Sequence, residues 1–142
     1  MVGAHKKASP QREAGQVYVF QRQPDGLWEE IQVLTEMVEE DRALMNDPNA
    51  LSRANRRFHK MIHLASHNRF LVQQLDLVHR SMALMATTSL AAQGRGEIAL
   101  AEHKAIVDAI ARRDEDAAYK ALRDHISVAF VTRLKLDSRK VD

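Results

Sequence analysis

From Pro24 onward the apolar residues recur every three to four positions, and no alternating strand-like pattern competes with that period. A stripe at this spacing is the signature of an amphipathic helix, which must bury one face against other helices. The first stripe is Leu27, Ile31, Leu34, Met37 and Val38, with Glu29, Glu30, Glu36, Glu39, Glu40 and Asp41 read as its solvated face. It should end before Asn46-Asp47-Pro48-Asn49, where Asp47 is placed to cap a second helix that has Pro48 in its first turn. That helix directs Leu51, Ala54, Phe58, Met61, Ile62 and Ala65 inward and stops near Ser66-His67-Asn68. The period then predicts a long helix over 69–90 that buries Phe70, Leu71, Leu75, Val78, Met82 and Met85.

Gln93-Gly94-Arg95-Gly96 interrupts the pattern. A helix over about 97–112 follows, presenting Ile98, Ala101, Ala105, Ile106, Ala109 and Ile110. After Arg113-Asp114, a last helix carries Ala118, Ala121, Leu122, Ala129, Phe130 and Leu134. The expected fold is all-α, an antiparallel bundle of about five to six helices over residues 24–137. Residues 1–23 are expected to be an irregular arm, disordered or extended, with Val17-Tyr18-Val19-Phe20 its one strand-like run. Residues 138–142 form a tail.

A chain of 142 residues is sized for one core. Its formal net charge of +2, without a Lys/Arg run, lacks the basic stripe of a nucleic-acid-binding module. The absence of cysteine excludes disulfides, thiolate nucleophiles and cysteine-type zinc sites. No apolar run approaches bilayer length, so a soluble cytoplasmic protein with no membrane partner is expected.

The seven histidines are the compositional oddity. Asn55 and His59 are four apart and share one helix face. His103 lies on the inward stripe of the fourth helix, among Ala99, Ile106 and Ile110, and His125 on that of the fifth, beside Leu122 and Ala129. A lone inward histidine is ordinarily a satisfied core residue. Three of them, from three helices, are costly to bury without partners, and a divalent metal would remove that cost. A competing site pairs His59 with His63, one turn on, although His63 drifts off the stripe; it and His67 also read as boundary or pocket-lining residues. His79 is a further candidate for lining a cavity, and His5 is uninformative.

Four segments together resemble the FCD domain, the effector-binding half of FadR-subfamily GntR transcription regulators. Asn55-Arg56-Arg57-Phe58-His59 is similar to its D/N-x-x-F-H element, and Ala65-Ser66-His67-Asn68 to the A-S-G-N turn that follows. Glu102-His103-Lys104-Ala105-Ile106, with Ala109-Ile110 and Asp114, resembles the E-H-x-x-I-x-x-A-I-x-x-x-D element, and Asp124-His125-Ile126 the closing histidine. The resemblance implies a metal site of Asn55, His59, His103 and His125, loaded with Zn, Ni, Mn or Fe and open to a small carboxylate effector. It implies an arginine assisting the effector, for which Arg80 and Arg95 are candidates beside His63 and His79. It also implies a homodimer that meets DNA only through a winged-helix domain, which is expected to lie outside these 142 residues. Asn55 departs from the usual aspartate and removes one negative charge.

The expected function is therefore ligand sensing and dimerisation, not catalysis. A small metal-dependent hydrolase or lyase is the alternative, but the chain has no H-E-x-x-H, no phosphate-binding glycine loop and no G-x-S-x-G elbow. The other alternative is a structural bundle that holds no metal.

Overall fold

The computed structural model describes residues 24–83 and 88–138, with side chains from Glu29 to Met82 and from Thr88 onward. Five α-helices make up the described residues: α1 (Pro24–Asp41), α2 (Pro48–Ala65), α3 (Arg69–Ala83), α4 (Arg95–Ala111) and α5 (Glu115–Ser138). Short 3-10 turns occupy Arg42–Leu44 and Ser89–Ala91, and no strand occurs among these residues. The expectations for the 1–23 arm, for Leu27, for Met85 and for residues 139–142 fall outside what is described.

The helix boundaries follow local chemistry. The Asp47 carboxylate accepts the backbone N–H groups of Asn49 and Ala50 at 3.0 and 2.9 Å, opening α2 ahead of Pro48. Asn68 does the same for Phe70 and Leu71 at the start of α3. Asp114 receives the N–H of Ala117 at the start of α5. The long third helix does not continue to residue 90, because Thr88 is extended and its hydroxyl accepts from Leu90 N–H, starting a separate turn. In the other direction α4 starts two residues earlier than the period suggested. Gly94 adopts φ 71, a left-handed conformation that glycine takes without strain, and the helix begins directly behind it. A side chain at Gly96 would meet Leu51 at 3.0 Å and Met45 at 3.2 Å, so this glycine lets α4 start hard against the α2 end of the bundle.

The main core joins α1, α2, α4 and the start of α5 through Ile31, Leu34, Val38, Phe58, Ile62, Ile106, Val107, Ala109, Ile110 and Ala118. A smaller cluster of Leu51, Leu90 and Ala99 closes the end where α4 begins. Several expected core positions are instead at the surface. On α3, Phe70 and Val78 are 66% and 52% exposed. On α5, Phe130 and Leu134 are 52% and 48% exposed, and on α4 Ile98, Ala101 and Ala105 face outward. The buried stripe of α4 is rotated to Arg95, Ala99, His103, Ile106 and Ile110. Among the described elements α3 packs chiefly on α2, and α5 on α4 and the Ser89–Ala91 turn, so these two helices leave apolar faces exposed.

Asp41 corrects the reading of an acidic solvated face. It is 2% exposed, and burial pushes its carboxyl pKa up against the opposing charge of Arg57. It continues the Ile31, Leu34, Val38 stripe at the next helical step, so the helix geometry carries it inward.

Phe58 has no exposed surface and ties core to site, stacking on His103 at 4.1 Å between ring centroids and meeting His59 edge-on at 5.7 Å. Phe58→Ala should cost roughly 3–5 kcal/mol in urea unfolding. A loss below about 1 kcal/mol would mean that the core closes without this ring.

Candidate metal centre

Three helices deliver the central side chains. His59 comes from α2, His103 from α4 and His125 from α5, and they are 4%, 2% and 3% exposed. One ring nitrogen from each lies within 4.8 Å of the others. Nε2 of His59 is 3.1 Å from Nε2 of His125. Both ring nitrogens of His103 are buried with no hydrogen-bond partner.

Glu102 sets the orientation of this cluster. Its Oε2 accepts the Nδ1–H of His125 at 2.6 Å and an Nη2–H of Arg95 at 2.7 Å. With its proton held on Nδ1, His125 turns the lone pair of Nε2 toward His59. At 3.1 Å the two Nε2 atoms either share one proton or face a common cation. Two ligands bound about 2.1 Å from one ion sit roughly 3.0–3.4 Å apart. The spacing, the unsatisfied His103 nitrogens and the carboxylate behind His125 all fit a divalent metal with nitrogen donors.

Electrostatics keep the imidazoles in the form that binds metal. Burial pushes His59 well below the ordinary histidine range, with His103 and His125 adding to the effect. Burial lowers His103 to about 3, helped by His125 and Arg95. His125 is lowered by burial as well, although Glu102 opposes the shift. Each ring is therefore neutral at physiological pH, the protonation state that binds metal.

The remaining sequence candidates divide. Asn55 is half-buried and lines the same cavity as His59, His125 and Arg95, a space of about 510 Å³. His63 and His79 also line it, 5.1 Å apart between ring centroids. His79 gives its Nδ1–H to the Leu75 carbonyl, and burial lowers His63 to about 4. His63 thus pairs with His79, while the group of three lies with His59, His103 and His125. Arg95 is 3% exposed, and its Nε and Nη1 have no hydrogen-bond partner. Arg80 is exposed and lies outside the cavity wall. Glu102 is the residue that sequence reasoning passed over, since it lies about 100° around α4 from its neighbour His103. That offset carries it toward α5, within reach of His125.

The described residues thus form an all-helical domain with three buried histidines beside a cavity. The FCD domain family matches residues 17–128. The chain belongs to the FCD domain family, the effector domain of GntR-type transcription regulators. It is 32% identical over 98 residues to a protein of Escherichia coli (strain K12) named as a candidate L-lactate dehydrogenase operon regulatory protein. The same identity and span hold for its namesake in Shigella flexneri. The alignment covers 66% of this chain and 38% of either relative. Among the described residues no helix is long and apolar enough to cross a membrane.

The depressed histidine pKa values fix a sign for the metal-free protein. Below pH 6.5 the unfolded chain takes up protons that the folded imidazoles refuse, so stability is lost as pH falls. His103 and His63 should each steepen the fall by up to roughly 1.4 kcal/mol per pH unit between about 6.5 and 4. Urea unfolding in chelator at pH 7.5, 6.5 and 5.5 checks this. A flat profile from 6.5 to 5.5 would show that the rings are not held neutral.

Proposed function

We propose that this domain senses a small organic acid at a divalent metal held by Asn55, His59, His103 and His125. The observation that carries the proposal is the pair of unsatisfied, buried His103 nitrogens beside the closely apposed Nε2 atoms of His59 and His125. Leaving such groups unpaired costs about 1–3 kcal/mol each, and coordination removes that cost. Zn, Ni, Mn and Fe all accept this donor set. When bound, the metal supplies a centre of positive charge with open positions for a carboxylate.

The protein's part is positioning. Glu102 fixes the His125 ring, Phe58 backs His103, and burial excludes the protons that would compete for the nitrogens. Arg95 has two buried nitrogens with no hydrogen-bond partner, Nε and Nη1, each able to donate singly to an anionic group in the cavity. His63 and His79 line the same space and are positioned to contact the rest of the effector.

Because the chain spans 38% of the length of its relatives, the output is also part of the proposal. Effector binding shifts a homodimer between two arrangements, and winged-helix heads in a complete regulator read that shift on DNA. Such coupling is limited to the effector's preference for one arrangement.

Elemental analysis of the purified wild type should find about one divalent ion per chain, with His103→Ala holding less than a tenth of that. Small carboxylates should raise the melting temperature of the metal-loaded wild type and leave the variant unmoved. Full metal content in folded His103→Ala would remove the proposed centre.

A further inference from the structure

The cavity in front of the histidines is larger than a two- or three-carbon acid requires. At about 510 Å³ it falls among pockets that enclose drug-sized molecules. Its wall is chemically two-sided. Asn55, His59, His125 and Arg95 supply polar groups from α2, α4 and α5, while Leu75, Val78 and Met82 from α3 and Ile126 and Phe130 from α5 supply hydrocarbon.

The apolar side is incompletely covered. Val78, Ile126 and Phe130 are 52%, 47% and 52% exposed although they border one cavity. The cause is architectural, since α3 packs on α2 and α5 on α4, which leaves a gap between α3 and α5. Large apolar groups around a shared concavity favour an occupant that removes them from water.

Charge selects the head of that occupant. Of the described lining residues that carry charge, Arg56 and Arg123 are exposed, whereas Arg95 is buried and gives one N–H to Glu102 at 2.7 Å. Arg95 is buried and has donors unpartnered at Nε and Nη1. An anionic group is complementary to this end, and an apolar body to the other.

We infer that the site takes an amphipathic monocarboxylate, with its carboxylate at the His59–His125–Arg95 end and its hydrocarbon body between α3 and α5. This rests on the effector-sensing proposal above and narrows the effector from any small organic acid to one with a substantial apolar tail.

The test is a calorimetric titration of the full chain, loaded with Zn²⁺, with acetate, butanoate, hexanoate, octanoate and decanoate, and with L-lactate. Affinity should rise about three- to fourfold per added methylene until the gap is filled. Phe130→Ser should weaken octanoate at least tenfold and acetate less than twofold; Phe130 is half-exposed, so the substitution spares the fold. If acetate and lactate bind and the longer acids gain nothing, the amphipathic ligand is refuted while acid sensing stands. If no acid binds the loaded protein, both fall. A chain-length gain that appears only after deletion of residues 1–23 would make that arm the occupant and overturn the inference for the intact chain. So would a Phe130→Ser variant that splits a dimer without changing the chain-length series, since the face would then be a contact between copies.

Discussion

The structure depends on burying three neutral imidazoles at one point between α2, α4 and α5. Imidazole keeps polar nitrogens wherever it goes, so a core built around three of them must satisfy those nitrogens or bear the cost. His125 gives its Nδ1–H to Glu102, which Arg95 in turn neutralises, and its Nε2 faces that of His59 at 3.1 Å. His103 stacks on Phe58, which satisfies its faces but not its nitrogens. The cluster is thus packed as a core and wired as a ligand set, and its helices cannot shift apart without separating both.

Much of this was legible in the chain because one rule generates it. The i, i+4 pair Asn55 and His59, and the inward positions of His103 and His125, follow from helical periodicity alone. The caps at Asp47 and Asn68 follow from short polar side chains placed before apolar runs. Where the period misled, the reason is tertiary. Phe70, Val78, Phe130 and Leu134 keep perfect helical spacing, yet α3 and α5 have no described neighbour on that side. Spacing tells which residues share a face; it does not say whether another helix arrives to cover it.

Arg95 and Asp41 illustrate the opposite failure. Both continue buried stripes by helical geometry, and charge alone argued for solvent at Asp41. Their burial is bearable for different reasons. Arg95 has an ion pair with Glu102 at 2.7 Å. Asp41 sits near Arg57 but leaves Oδ2 without a hydrogen-bond partner. A charged residue on an apolar stripe is therefore the signal to examine, since burying it without a partner is rarely tolerated.

Charge accounting also gives Asn55 a meaning within the proposed centre. Three neutral imidazoles and an amide would contribute no negative charge to a divalent ion, and the one nearby carboxylate is already shared between His125 and Arg95. The usual aspartate in this position would cancel half of the ion's charge. Without it such a centre would hold metal less tightly but leave it more electrophilic, so an anionic ligand would gain more from binding there. Metal and acid would then stabilise one another in this chain more strongly than in a relative with aspartate, because each supplies the charge that the other lacks.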